Sequence, residues 1–251
     1  MTARSPALVG ISHGTSSPEG RRAVRALHVA VAAAVAERHP DATPAVRLGH
    51  VDVEQPDVPA TLASLEPGEP AVVVPLLLSA GYHVHVDLTE AVAAATDRPV
   101  VLAGALGPDD RLAAVLLRRL AEAGLRDDDR IVLAVAGSSD GRAVVDCRDM
   151  AGRLAAASGR DVTVGFLSAA EPALPDSVAQ ARTAALAASG GATPRVVLAN
   201  FLLAPGYFDD LARRAGADIT ARPLLVPDEP PPAELVDIVL ERFHTASARL
   251  A

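Results

Sequence analysis

Short apolar runs alternate along the chain with longer segments in which apolar residues recur at helical spacing. Runs of about four to eight residues rich in Val and Leu predict buried strands, because a helix needs a longer amphipathic segment. In the first half, strands are predicted at Ala7–Ser12, Ala45–Val51, Ala71–Leu78 and Val100–Ala103, and helices at Pro18–Arg38, Asp57–Leu65, Tyr82–Ala95 and Pro108–Ala123. Strict alternation of strand and helix predicts an α/β fold with parallel sheets and helices on both faces.

The same order restarts after a short acidic linker at Arg126–Asp129. Residues 132–139 repeat 9–16, residues 165–172 repeat 49–56, and residues 199–208 repeat 74–83. The second strands are predicted at Ile131–Ala136, Asp161–Leu167, Arg195–Leu203 and Asp218–Ala221, and the second helices at Gly141–Ser158, Leu174–Ser189, Tyr207–Ala215 and Ala233–Ala246. This repetition predicts an internal duplication, with two similar halves that each contain a parallel sheet of about four strands and flanking helices. We place the division between residues 1–125 and 126–251.

The two halves differ in the residues that could carry chemistry. Glycines persist at the strand-to-helix turns, but the ionisable residues do not. The differing pairs are His13 with Ala136, Asp52 with Ser168, and His83 with Phe208. Each first-half residue alone has an ordinary interpretation, as a turn histidine, a solvated carboxylate or a helix cap. Because all three follow the carboxyl ends of predicted strands, where open parallel sheets bind ligands, we predict that the first half carries the site. The second half is then a degenerate copy that shapes one wall of a shared cleft.

Histidine is unevenly distributed, since six of the seven histidines lie within the first 85 residues. Two imidazoles and a carboxylate suit Fe²⁺, Co²⁺ or Ni²⁺, and neutral imidazole can also accept a proton. The first candidates for such a set are His13, His83 and Asp52. His50 alternates with Asp52 along a predicted strand and is a second-tier ligand, and His85 is a weaker candidate. The other histidines are interpreted as surface or packing residues; they are His28, His39 and His244.

Composition argues against several other classes of protein. The net charge of −8 and the lack of a basic stripe argue against nucleic acid as a partner. The single cysteine, Cys147, excludes an internal disulfide framework and fits a reducing compartment. No apolar run reaches the ~20 residues of a membrane helix, and no signal-peptide core is present, so we expect a cytoplasmic protein without a membrane partner. The HExxH zinc motif, the P-loop motif and the GxGxxG dinucleotide motif are also missing.

Four short motifs, taken in order, resemble those of the CbiX/SirB group of class II tetrapyrrole chelatases, the sirohydrochlorin cobalt- and ferrochelatases. The first is His13-Gly14-Thr15, and the second is the segment Gly49–Pro56. The third is a Pro-x5-Gly-x-His-x3-Asp pattern, met in full by Pro75, Gly81, His83 and Asp87. The fourth is Leu106-Gly107-Pro108. The third motif is fairly specific and the first is short, but the order and spacing extend the resemblance over nearly the whole chain.

The resemblance implies a bilobal fold of two flavodoxin-like, chelatase-like halves with one cleft, and a role in sirohaem or cobalamin biosynthesis. It implies that His13 and His83 bind the incoming metal and assist loss of the pyrrole protons. The family's glutamate falls on Asp52, and Glu54, two residues later, is the alternative carboxylate. The metal, Fe²⁺ or Co²⁺ with Ni²⁺ as a further candidate, is a substrate, and no other cofactor is implied.

The other substrate is sirohydrochlorin, a polycarboxylate that an acidic protein must meet with local positive charge. Arg21 and Arg22, which follow the His13 turn, are candidate carboxylate partners, although each also has an ordinary surface interpretation. Ser16 is a further candidate, since the turn at Gly14–Ser17 either cradles an anion at the helix N-terminus or only caps the helix.

Two other functions stay open from the residues alone. A metal or tetrapyrrole carrier without catalysis would use the same histidines. A histidine-phosphatase-like hydrolase is suggested by Ser12-His13-Gly14-Thr15, which resembles an Arg-His-Gly-x-Ser/Thr motif, but Ser12 stands where that chemistry needs arginine. Because one chain contains both lobes, we expect a functional monomer, with a homodimer as the alternative.

Overall fold

The computed structural model describes residues 5–79, 81, 83–188 and 195–250, without the side chains of residues 83–85 and 188. The first eight elements are β1 (Ala7–Ser12), α1 (Pro18–Arg38), β2 (Val46–His50), α2 (Val58–Ala63), β3 (Ala71–Pro75), a π-helical segment (His83–Leu88), α3 (Thr89–Ala94) and β4 (Val100–Leu102). The next nine are α4 (Asp110–Glu122), β5 (Arg130–Val135), α5 (Gly141–Ser158), β6 (Val162–Phe166), α6 (Leu174–Ala188), β7 (Val196–Phe201), α7 (Tyr207–Arg213), β8 (Ile219–Thr220) and α8 (Ala233–Ser247).

The strands form two four-stranded sheets, in the orders β2-β1-β3-β4 and β6-β5-β7-β8, and every pairing is parallel. All residues of β1 and β3 are buried, as expected for sheets covered on both faces. The two sheets also share their register, because Ser12 pairs with His50 in the first and Val135 pairs with Phe166 in the second. The predicted fold class, two similar parallel α/β halves, is confirmed.

Side-chain caps explain where several helices begin. The Ser17 hydroxyl accepts the N–H of Gly20 at the start of α1, and Pro18 occupies the first helical position. Asp57 and Asp109 cap α2 and α4 in the same manner. Each cap fixes the residue at which its helix begins, and therefore where the preceding turn ends.

Two elements differ from the sequence-based prediction. Strand β3 ends at Pro75 instead of continuing to Leu78, because proline has no N–H to donate to a ladder. The predicted helix at 82–95 is a π-helical segment at His83–Leu88 followed by α3. π-Helical turns are rare and occur often at functional sites.

The compact units are not the two halves of the repeat. One unit comprises Met1–Leu106 with Asp228–Ala251, and the other comprises Gly107–Pro227. In the first unit, α8 packs on α1, β3 and β4, and Arg242 donates to the carbonyl oxygens of Ala105 and Leu106. In the second unit, α4 packs on α5 and β7. The division at residue 125 follows the sequence repeat. In the packing, α4, which follows the last strand of the first half, belongs to the second unit, and α8, which follows the last strand of the second half, belongs to the first.

In the part of the chain that the structure describes, every helix is too short or too polar to cross a membrane.

Candidate functional site

The site predicted from the sequence lies where the chain order reverses within the first sheet. From β1 the chain moves outward to β2, and it then returns past β1 to form β3 on the other side. Such a reversal leaves a crevice at the carboxyl ends of the two central strands, where open α/β sheets bind ligands. His13 is the first residue after β1 and is exposed.

The turn that carries His13 is joined to the loop that carries Asp52 by backbone contacts. The N–H of Val51 donates to the carbonyl oxygen of Ser12 at 2.9 Å, and the N–H of Asp52 donates to that of His13 at 3.0 Å. Gly14 lies so close to this loop that a Cβ there would be 1.9 Å from the Asp52 carbonyl oxygen. His13 and Asp52, predicted as ligands of one metal, are therefore neighbours through their backbones.

The conformation of the Asp52 loop leaves its side chain at the surface. Val53 adopts a positive φ of 66°, which is uncommon for a β-branched residue. One oxygen of the Asp52 carboxylate accepts the N–H of Val53 at 2.7 Å, and the side chain is exposed. The other carboxylate oxygen is thus suited to a ligand outside the loop.

The second unit repeats this backbone without the chemistry. Gly137 has a φ of +90°, close to the +92° of Gly14, and a Cβ on it would be 1.8 Å from the Ser168 carbonyl oxygen. Ala169 also has a positive φ, of 54°. The glycine turn is therefore a property of the fold. The ionisable side chains at the positions of His13 and Asp52 occur in the first unit alone.

Glu54 is mostly buried and holds the residue that follows Gly14. Its Oε1 accepts the N–H of Thr15 at 2.8 Å, and its Oε2 lies 3.3 Å from the Nε of Arg21. The same Nε donates to the carbonyl oxygen of Thr15 at 2.9 Å. Both Glu54 oxygens thus have partners within the protein.

His50 is buried and lies near the Oε1 atom of Glu54, whereas Arg21 lies near Oε2. Its Nδ1 is 2.8 Å from the Ser12 hydroxyl and 3.9 Å from Glu54 Oε1. Burial holds the pKa of His50 below its ordinary value; the Glu54 charge opposes this effect, and Arg21 and Arg25 reinforce it. The His50 ring is therefore neutral near pH 7.

The metal set predicted from the sequence is only partly described by the structure. His83 begins the π-helical segment, but its side chain and that of His85 lie outside the described residues. Among the side chains that are described, no three of the His, Cys, Asp and Glu type come together in an arrangement able to hold a metal. The set of His13, His83 and Asp52 stays a prediction.

The candidate partners of the substrate carboxylates lie around the first turn of α1. Ser16 is exposed and lies beside the capping residue Ser17. About half of each arginine side chain is exposed, and Arg22 Nε lies 3.4 Å from Asp228 Oδ1 while Arg21 pairs with Glu54. Both arginines thus have acidic partners and keep surface toward solvent.

Ser12 and the Thr15 N–H contact the candidate site residues in ways that were not predicted from the sequence. Ser12 is 3% exposed and ends an otherwise apolar strand, and the second half has Val135 at the matching position. A buried hydroxyl in such a strand needs a partner, which was the available signal for the Ser12–His50 contact.

Comparisons with known proteins point to one group. The family model CbiX matches residues 7–123. The structure of SirB from Bacillus subtilis with Fe³⁺ aligns with a TM-score of 0.73 at 17% identity, covering 98% of this chain and 97% of that one. SirB from Bacillus subtilis subspecies spizizenii in complex with cobalt gives 0.71 at 14%, covering 98% and 96%. No curated protein matches the chain significantly.

A third solved structure with the same fold is also similar to this chain. It is CbiX, described as the terminal enzyme for biosynthesis of siroheme in denitrifying bacteria, and it aligns with a TM-score of 0.61 at 21% identity, covering 94% of this chain and 98% of that one. At these identities the alignments establish a shared fold, and the family model adds a match in sequence over the part that carries His13, Asp52 and His83. Residues 7–123 therefore match the CbiX family model, and the chain has the fold of the SirB and CbiX structures over nearly its whole length.

Proposed function

We propose that this chain is a sirohydrochlorin chelatase that inserts Fe²⁺ or Co²⁺ into the macrocycle in sirohaem or cobalamin biosynthesis. The observation that carries the proposal is the joining of the His13 turn to the Asp52 loop at the chain reversal of the first sheet, within the segment that matches the CbiX family. The matching turn of the second unit has Ala136 and Ser168 instead.

The reaction needs a weakly held metal and a base. A divalent metal replaces two pyrrole protons, so two protons leave for each metal that enters. Imidazole suits both tasks, because its neutral form can ligate the metal or accept a proton near neutral pH. We assign these tasks to His13 and His83, with the Asp52 carboxylate balancing the charge of the metal before transfer.

The substrate carboxylates require positive charge beside this metal site. Arg21 and Arg22 extend from the first turn of α1, which is a 21-residue helix whose N-terminus carries partial positive charge. The guanidinium group can bind a carboxylate through two parallel N–H bonds. We assign the substrate carboxylates to these arginines and Ser16.

The remaining assignments follow from the sequence. We propose a cytoplasmic location, since the one cysteine cannot form an internal disulfide, and a functional monomer, since both lobes lie in one chain.

The test is an anaerobic insertion assay with sirohydrochlorin and either Fe²⁺, Co²⁺ or Ni²⁺, followed by absorbance. We expect multiple turnovers above the spontaneous rate, and a fall in kcat of about 10²- to 10⁴-fold in His13→Ala and His83→Ala. His244→Ala, an exposed histidine in α8, is the matched control and should retain full activity.

Three results would contradict the proposal. Stoichiometric binding of metal or macrocycle without turnover would indicate a carrier. Hydrolysis of p-nitrophenyl phosphate would indicate a phosphatase, although Ser12, in the position of the required arginine, is buried against His50. Full insertion activity in the double variant of His13 and His83 would remove both histidines from the mechanism.

A further inference from the structure

We propose that Arg21, Glu54 and His50 are positioning residues that fix the turn carrying His13, and that Glu54 and His50 act through this turn instead of binding the metal. The inference rests on the proposed function and extends it to side chains behind the metal site. Thr15 and Ser12 are the points at which these residues contact the turn.

The contacts run continuously from α1 to the end of β1. Arg21 Nε donates to the Thr15 carbonyl oxygen at 2.9 Å, and Glu54 Oε1 accepts the Thr15 N–H at 2.8 Å. The two side chains are themselves paired at 3.3 Å. On the other side of the carboxylate, His50 Nδ1 meets the Ser12 hydroxyl at 2.8 Å. His13 and Gly14 therefore lie between two residues whose positions are fixed by this network.

The network restrains a turn whose central residue is glycine. Gly14 has a φ of +92° and no side chain to pack, so its own conformational preference is weak. The N–H and carbonyl oxygen of Thr15 are both held by charged groups, which form stronger hydrogen bonds than neutral ones. Fixing Thr15 limits the directions in which His13, two residues earlier, can present its ring.

A role as metal ligand would conflict with these contacts. A metal on Glu54 Oε1 would compete with the Thr15 N–H, and one on Oε2 would compete with the Arg21 guanidinium. For His50, Nδ1 is engaged by Ser12, so a metal could use only Nε2, on a side chain that is only 8% exposed. Asp52, in contrast, has an exposed carboxylate on the same loop.

The second unit shows that the fold does not require this network. It has the same strand register and the same glycine turn, yet every position of the network is apolar. The matching pairs are Ser12 with Val135, Arg21 with Val144, His50 with Phe166, and Glu54 with Ala170. Burying a carboxylate and an imidazole is unfavourable unless both are paired. The polar network is present only beside the predicted site. We infer that the site, and not folding, requires this network.

The first experiment measures the turn directly in the full chain. Glu54→Ala, Glu54→Gln and His50→Phe are compared with Glu37→Ala, an exposed substitution elsewhere on the first unit. Hydrogen exchange of the Thr15 amide should be faster in Glu54→Ala by on the order of tenfold or more, because a charged acceptor is lost. Glu54→Gln keeps an acceptor oxygen and should restore part of the protection. Exchange at the wild-type rate in Glu54→Ala would overturn the proposal.

The second experiment separates positioning from ligation and from folding. With positioning, kcat for insertion should fall about 10- to 100-fold in Glu54→Ala while KM for sirohydrochlorin changes less than about twofold. The visible bands of bound Co²⁺ should keep their positions in Glu54→Ala and His50→Phe. Shifted bands would make the substituted residue a ligand, and an unchanged kcat would remove its role; either result overturns the proposal.

A combined variant guards against misfolding. Ser12→Val, His50→Phe and Glu54→Ala together copy the apolar residues of the second unit while Arg21, assigned to the substrate carboxylates, is kept, so the variant should fold and still show the loss in kcat. If the wild type itself inserts no metal, the proposed function fails, and Thr15 exchange still decides whether Glu54 holds the turn.

Discussion

Replacing Gly14 with alanine would place a Cβ 1.9 Å from the carbonyl oxygen of Asp52, far inside contact distance, at a φ of +92°. The turn must then move away from the Asp52 loop. The positive φ costs about 1 to 2 kcal/mol in an L-residue. Loss of the Asp52 N–H bond to His13 costs about 0.5 to 1.5 kcal/mol, and loss of the Thr15 N–H bond to Glu54 about 1.5 to 3 kcal/mol. We therefore expect a loss of about 3 to 6.5 kcal/mol in the free energy of unfolding.

Two other glycines provide matched controls. Gly68 has a φ of +71° and nothing within 4 Å of an added Cβ, so Gly68→Ala should cost only the backbone contribution of about 1 to 2 kcal/mol. Gly137→Ala creates the same clash in the second unit, where Ala136 and Ser168 stand in place of His13 and Asp52. It should destabilise that unit while metal binding is retained.

Urea unfolding followed by circular dichroism suits this comparison because the chain has no tryptophan. Titration with Co²⁺ reports the site separately. Either of two results would contradict this prediction: Gly14→Ala is no more destabilising than Gly68→Ala, or Gly137→Ala weakens Co²⁺ binding as much as Gly14→Ala does.

Three further changes test other parts of the structure. Asp52→Asn keeps an acceptor for the adjacent backbone N–H, so Co²⁺ affinity by calorimetry should fall about tenfold or more while urea unfolding is unchanged; unchanged affinity would remove Asp52 from the ligand set. Arg242→Ala removes a charged donor from two carbonyl oxygens at the end of the first sheet and should lower the free energy of unfolding by about 1 to 3 kcal/mol; no change would show that the helix contact is dispensable. Burial opposes the charge of Asp129, but the Arg195 side chain and a backbone N–H dominate and hold the pKa of this carboxyl below its ordinary 3.8. The stabilisation is therefore complete above that pH and is lost as the pH falls through the folded pKa, so the stability gap between wild type and Asp129→Asn should be constant above about pH 5 and shrink below about pH 4. A gap independent of pH would contradict this assignment.

The pattern of apolar residues was sufficient to predict the sheets, because buried parallel strands need continuous apolar runs. Strand β1 was predicted with the bounds that the structure has, and β3 was predicted three residues too long. The error arose because Leu76, Leu77 and Leu78 continue the apolar run although the strand ends at Pro75, with one further bond to β1 from the Leu76 N–H to the Ile11 carbonyl oxygen. An apolar run predicts that residues are buried, but it does not distinguish a strand from a buried loop.

The packing of α4 and α8 could not be inferred from the repeat. Each helix follows the last strand of its half and has an apolar face, whichever sheet it covers. The order of elements along the chain is the same with or without the exchange. Only tertiary contacts, such as those of Arg242 with Ala105 and Leu106, distinguish the two arrangements.

The candidate site was predictable in its position but not in its internal contacts. The absence of counterparts of His13 and Asp52 from the second half predicts a site at the strand ends, and the structure makes these two residues neighbours. His50 was predicted as a secondary ligand because it alternates with Asp52. In the structure it pairs across the strands with Ser12, a contact set by register that the sequence alone does not reveal.

The helix exchange also constrains how the protein is made. The sheet that carries His13 is covered in part by α8, which follows the whole of the second unit along the chain. During synthesis, the first unit therefore remains without part of its apolar cover until α8 has left the ribosome. The second unit, which is continuous in sequence from Gly107 to Pro227, can close earlier. The unit with the predicted chemistry is thus completed after the second unit has been synthesised.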